Sequence, residues 1–105
     1  MNKVILTGNV GSVYELRKTE NGTSVINFSL ATNDRKKETQ WHRCVAFGKL
    51  SEIINQYVKK GDSISVEGRI NYKDYEVDGV TKTVTEIILD DFEFISKKKT
   101  DDSTL

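Results

Sequence analysis

Apolar and polar residues alternate along most of this chain, with the period of two that is typical of half-buried β-strands. The segment 4–10 is rich in β-branched residues, and the segment 26–31 alternates large apolar with polar or small side chains. Between them lies Asn21-Gly22, and Asn-Gly is the strongest short signal for a hairpin turn. The pattern therefore predicts antiparallel strands in the first third of the chain.

The period changes between Lys49 and Lys60, where apolar residues follow the i, i+3, i+4 spacing of a helix. This apolar stripe consists of Leu50, Ile53, Ile54, Tyr57 and Val58. Lys59 and Lys60 suit the negative end of a helix dipole, and Gly61 is a good residue to end a helix. We therefore predict one amphipathic helix here, with Tyr57 packed in its apolar face.

Strand alternation resumes at Ile64, and Gly68 interrupts it at a position typical of a β-bulge. A polar, aromatic hairpin arm over 72–78 and a last strand over 81–94 follow. Three strands, a helix and two strands is the chain order of the OB-fold. The predicted fold is therefore all-β, a five-stranded OB-fold barrel with one α-helix between strands 3 and 4. A β-meander with a packed helix is the less specific alternative.

The segment 39–48 carries the most informative pattern. Alternate residues of a strand point to opposite faces, and one face here holds Trp41, Arg43, Val45 and Phe47. An inward orientation of that face would bury the Arg43 charge at high cost, whereas Cys44 and Ala46 on the other face can pack inward. Trp41, Arg43 and Phe47 are therefore predicted to lie outside, where rings and a guanidinium suit unstacked bases and phosphates. The alternative is a core strand whose Arg43 snorkels to solvent.

The 105 residues predict one domain over residues 1–95 and a short flexible tail over 96–105. A single cysteine allows no internal disulfide, and no segment resembles a signal peptide or a membrane span. A cytoplasmic protein is therefore expected. The formal net charge is zero, but residues 1–60 hold 10 Lys and Arg against 5 Asp and Glu, and residues 61–105 hold 6 against 11. This asymmetry indicates a basic surface built by the first sixty residues.

The order of elements and several short motifs together resemble the bacterial single-stranded DNA-binding protein family over residues 1–95. The matching motifs are Asn2-Lys3-Val4-Ile5-Leu6-Thr7-Gly8-Asn9, Asn21-Gly22, Leu30-Ala31-Thr32, Trp41-His42-Arg43, Phe47-Gly48-Lys49-Leu50, and Lys60-Gly61 with Val66-Glu67-Gly68. The resemblance implies a non-enzymatic protein that coats single-stranded DNA in replication, recombination or repair. It also implies a homotetramer, with a dimer as the alternative, in the cytoplasm of the cell or, for a phage-encoded protein, of the host.

The resemblance assigns base stacking to Trp41, Phe47 and an aromatic residue in the arm, for which Tyr75 is the best match. Tyr72 is a second candidate in the arm, and Tyr14 is expected to pack. His42 matches a residue near subunit contacts. The β-branched segment around Val4 and Leu6 is a candidate edge for pairing with another copy, although it could equally be interior.

Phosphate contacts are expected from basic residues on or near this surface. The candidates are Arg35, Lys36, Lys37, Arg43, Lys49, Arg69 and Lys73. Where some relatives have a further tryptophan, this chain has Arg35-Lys36-Lys37 in a short charged loop. Stacking contributes about 1–3 kcal/mol per base without reading sequence, and duplex DNA hides its base faces, so stacking selects single strands.

Two other functions compete with this interpretation. An OB-fold subunit of primosome type would use the same surface mainly to dock a protein. A small nuclease would need a set of metal-binding carboxylates, which Glu67, Glu86, Asp90 and Asp91 do not form in the sequence. His42 and Cys44 are too few for a zinc site, so neither a metal nor a cofactor is expected. Asp101-Asp102 and Leu105 are only a faint counterpart of the acidic tip with which relatives recruit replication proteins.

Overall fold

The computed structural model describes residues 1–97, which form six β-strands and one α-helix. In chain order these are β1 (Val4–Val13), β2 (Arg17–Lys18), β3 (Ser24–Asn33), β4 (Thr39–Phe47), α1 (Gly48–Tyr57), β5 (Ser63–Val77) and β6 (Val80–Ser96). Because β2 has only two residues, five long strands remain, and α1 follows the third of them. The predicted OB-fold order is confirmed. The tail predicted for 96–105 lies almost entirely outside the described residues.

The strands close into a barrel in the order β1-β5-β6-β4-β3, with β1 pairing back onto β3 and β2 extending the edge of β3. All neighbours are antiparallel except β4 and β6, which are parallel. The β5–β6 register shifts between Glu67 and Gly68, which confirms a bulge at the predicted position, although the extra residue is Asp90 of β6. A Cβ atom on Gly68 would lie 2.1 Å from the carbonyl oxygen of Ile88. Glycine therefore allows the two backbones to approach at this bend of the barrel.

The core lies inside this barrel and beneath α1. Its largest fully buried side chains include Phe28, Ile26, Leu30, Ile54 and Ile64. These come from alternate positions of the strands and from one face of the helix, and burial of each contributes about 1.5–3 kcal/mol. The alternation of the strands in the sequence therefore identifies the core correctly.

The helix ends earlier than the sequence pattern predicts. Val58 is already extended, with φ −89° and ψ 128°, although its side chain is buried. Gly61 has a φ of 94° and lies in the turn beyond, where its N–H donates to the carbonyl oxygen of Val10 at 2.8 Å. The prediction that Tyr57 packs in the core is wrong, because this residue is 50% exposed. Within residues 1–97, no helix is long and apolar enough to cross a membrane.

Candidate nucleic-acid interface

Strand β4 presents its aromatic residues to solvent. Trp41 is 63% exposed and Phe47 is 44% exposed, whereas Cys44 and Ala46 are fully buried. Arg43 is exposed between the two rings. The core-strand alternative is therefore wrong, and the predicted orientation of this strand is confirmed.

The outer face of β4 is not exposed along its whole length. Val45 shares this face but is only 3% exposed. It lies between Asn27 on β3 and Ile88 on β6, to which the strand register pairs it. Trp41 and Phe47 are six residues apart, or about 20 Å along the strand at roughly 3.3 Å per residue. The two rings are therefore separate contact points, with Arg43 exposed and Val45 buried between them.

The Trp41 ring lies against the backbone of β1. The β1–β3 register shifts between Val10 and Val13, which places a bulge at Gly11-Ser12. A Cβ atom at Gly11 would lie 2.4 Å from Cζ3 of Trp41 and 2.6 Å from Oγ of Ser29. The Ser29 hydroxyl in turn accepts the Ser12 N–H at 2.9 Å. The absence of a side chain at Gly11 therefore sets the position of the ring. The glycine that directly follows the predicted strand over 4–10 was the available signal for this close approach.

The β5–β6 arm extends the same face. Glu86 of β6 pairs with Arg43 of β4 and with Asn71 of β5. Alternate residues of β5 lie on one face of the sheet, so Lys73 and Tyr75 share the face of Arg43. Tyr75 is exposed there.

Arg69 and Tyr72 complete the set of candidates from the arm. Arg69 lies on the face of Tyr75, exposed, with its Nη1 3.9 Å from Oδ1 of Asp90. Tyr72 pairs with Thr85 and is also exposed, but it lies on the opposite face of the arm. The strand register therefore places Arg69 and Tyr75 on the same face of the sheet as Trp41 and places Tyr72 on the opposite face.

The other basic candidates are exposed around this surface. Arg35, Lys36 and Lys37 lie in the β3–β4 loop, and Lys49 lies in the first turn of α1. The loop is shaped by Asp34, whose carboxylate accepts the backbone N–H of Lys36 at 2.8 Å and that of Glu38 at 3.0 Å. Within residues 1–97, Arg69 alone of the seven basic candidates forms an ion pair. The remaining cations are therefore available for phosphate groups.

The titratable groups near this surface include a buried thiol, a hydrogen-bonded imidazole and a buried carboxyl group. Burial raises the pKa of Cys44 to about 12, so its thiol is neutral and shielded. The His42 ring is half-buried, and its Nε2 lies 2.8 Å from Oγ1 of Thr32. Glu86 is a buried acid on the outer face beside Arg43, and this position was not predicted from the sequence. No group of three or more His, Cys, Asp or Glu side chains in the described part of the chain could hold a metal ion.

The residues predicted for subunit contact lie on two strands. Val4 and Leu6 are half-buried and pack against the core, whereas Ile5 on the other face of β1 is exposed. Residues 4–8 pair with β5, and the described register gives them no partner on their other edge. The structure thus places an exposed β1 edge at this point.

Comparisons with known proteins agree with this architecture. A model of the single-strand binding protein family matches residues 1–95. The chain is 40% identical over 93% of its length to single-stranded DNA-binding protein 1 of Chlorobaculum tepidum and covers 67% of that protein. It is 38% identical over 93% of its length to the single-stranded DNA-binding protein of Bacteroides thetaiotaomicron and covers 68% of it. The chain thus spans about two thirds of the length of these two curated relatives.

A solved structure shares the fold. The SSB of Plasmodium falciparum, in complex with ssDNA, superposes with a TM-score of 0.81 at 31% identity. The match covers 91% of this chain and 96% of that one.

Substitution of Gly11 by alanine tests the seating of the Trp41 ring. The added methyl group would displace the ends of the Trp41 and Ser29 side chains but no backbone atom. We expect the near-ultraviolet circular dichroism of the single tryptophan to change, with a free energy of unfolding within about 1 kcal/mol of the parent value. The control is Gly79→Ala, where the new methyl group has no atom within 4 Å, so that any loss of stability comes from the backbone strain of a φ of 79° and not from a contact. A tryptophan spectrum that is equally unchanged in both variants would show that the ring does not rest on Gly11.

Proposed function

This chain belongs to the single-strand binding protein family, and we propose that it binds single-stranded DNA without reading its sequence. In this role it coats and protects exposed strands during DNA replication, recombination and repair. The observation that carries the proposal is the exposure of Trp41 and Phe47 on the face that also holds Arg43. Exposed rings on either side of a guanidinium, on one face of one strand, supply the stacking and charge contacts that unpaired bases and their phosphates need.

Base stacking supplies the selectivity for single strands. Each aromatic contact contributes about 1–3 kcal/mol with any base, because every base has a flat face. Trp41 and Phe47 lie too far apart to hold one base, so each contacts a different nucleotide. Tyr75 continues the path on the same face of the β5–β6 arm. Tyr72, on the opposite face, contacts DNA that passes around the arm.

Phosphate contacts supply the salt-dependent part of the affinity. Arg43 lies between the two rings of β4, and Arg69 and Lys73 lie on the arm. Arg35, Lys36 and Lys37 approach from the β3–β4 loop, and Lys49 from the start of α1. Each neutralised phosphate of a single strand adds about 0.7 to the slope of log K against log salt. The zero net charge of the chain is compatible with this role because six of these seven cations form no ion pair within residues 1–97.

Self-association is a second part of the proposal. The free edge of residues 4–8 offers unpaired backbone groups to another copy of β1, and Ile5 exposes an apolar side chain beside it. We assign His42 to the subunit contact as well. We infer a homotetramer in solution, with a dimer as the smaller assembly built on the same edge.

Titration of a fluorescein-labelled oligo-dT tests the binding proposal. We expect a rise in fluorescence anisotropy that weakens with added salt. Trp41→Ala and Phe47→Ala each remove one stacking contact, so each should lower the affinity by about 5- to 150-fold. Unlabelled duplex DNA of the same length should compete poorly, because its base faces are covered.

Tyr57→Ala provides the matched control, since it removes an exposed aromatic ring from the helix and should leave the affinity unchanged. Binding that neither β4 variant weakens would contradict the stacking mechanism. Failure of the parent protein to bind oligo-dT even at low salt would contradict DNA binding altogether and favour a protein-docking OB-fold subunit.

Light scattering tests the assembly. With a chain mass of 11.9 kDa, we expect a particle of four chains at micromolar concentration. Ile5→Lys places a charge on the free edge and should shift the mass toward smaller species, because an edge lysine opposes strand pairing. A single-chain mass across the whole concentration range would rule out self-association through β1.

A further inference from the structure

A groove lies beside Trp41 on the outer surface of the barrel, apart from Phe47 and from the β5–β6 arm. Its volume is about 420 Å³, within the range of sites that take small organic groups. The side chains that matter in its lining are Tyr14, Arg17, Asn27, Ser29, Trp41 and Arg43. Two of these were not among the binding residues predicted from the sequence: Tyr14, which directly follows β1, and Arg17, which begins β2.

Tyr14 lies at the surface and not in the core. The expectation that it packs is wrong, because Tyr14 is 58% exposed. Its backbone is nevertheless fixed, since its N–H donates to the carbonyl oxygen of Asn27 at 2.9 Å. The ring therefore projects from a fixed backbone position, and a bound partner would have to order only its side chain.

Arg17 is anchored on the same residue. Its Nη1 donates to Oδ1 of Asn27 at 2.8 Å, and β2 pairs it with Val25. A guanidinium has five N–H donors, so most remain free. Neither Arg17 nor Arg43 forms an ion pair with any residue in the range 1–97. Arg17, which Asn27 orients, and the exposed Arg43 together favour an anionic ligand such as a phosphate diester.

We propose that this groove is an additional nucleotide site, in which Tyr14 contacts a base next to the one on Trp41 and Arg17 binds the intervening phosphate. The inference rests on the proposed function and deepens it. It extends the path of the bound DNA from the aromatic contacts of β4 and the arm, across β3, to Tyr14 and Arg17. The occupant is single-stranded DNA because flat rings and unpaired guanidinium groups line the same groove.

The experiment compares Tyr14→Ala, Tyr14→Phe and Arg17→Met with the parent protein, with labelled oligo-dT at several salt concentrations. We expect Tyr14→Ala to lower the affinity by about 5- to 150-fold, as for other base-stacking rings. Tyr14→Phe keeps the ring and should bind like the parent. Arg17→Met should lower the slope of log K against log salt by about 0.7, the contribution of one phosphate contact.

Tyr57→Ala is again the matched control, because this half-exposed ring lies on α1 and does not line the groove. If the parent protein binds oligo-dT but Tyr14→Ala and Arg17→Met bind with the parent affinity and salt slope, the groove is not a nucleotide site and the proposed function stands. If the parent protein itself does not bind, both proposals fail. Thermal unfolding of each variant separates a loss of affinity from a loss of fold, and Arg17→Met decides the question if Tyr14→Ala does not fold.

Discussion

The burial of one face of β4 is the constraint on which the binding surface depends. Cys44 and Ala46 are fully enclosed in the barrel, and a strand that turns these residues inward must turn Trp41 and Arg43 outward. The opposite orientation would place a guanidinium in the core, where an unpaired charge is strongly unfavourable. Small inward residues and large outward residues on one strand thus produce an exposed aromatic and cationic surface from ordinary barrel packing.

The closure of the barrel extends this surface beyond one strand. The parallel pairing of β4 with β6 places Arg43 beside Glu86, and the β5–β6 register then sets Tyr75 on the same face. On the other side of β4, the bulge at Gly11 admits the Trp41 ring over β1. Contacts from three parts of the chain are therefore aligned by backbone hydrogen bonding, and a rigid scaffold of this kind suits the binding of a flexible strand.

The sequence was sufficient for the order of elements, the bulge at Gly68 and the outward direction of Trp41, because each follows from a local period or a single glycine. Local patterns failed where neighbouring strands decide the outcome. Val45 shares the outer face but is buried between β3 and β6. Tyr57 belongs to the apolar stripe of the helix but is half exposed. Tyr14 becomes a groove residue through a backbone bond to β3, a pairing that residue spacing alone does not reveal.

Acrylamide quenching of the Trp41 fluorescence tests the central claim most directly, because the chain has one tryptophan. In the free protein we expect efficient quenching, close to that of a solvated indole, as the 63% exposure of this ring implies. With saturating oligo-dT, the quenching should fall as a base covers the ring. Weak quenching in the free protein, or quenching that saturating oligo-dT does not change, would contradict the claim that Trp41 is an open stacking site for single-stranded DNA.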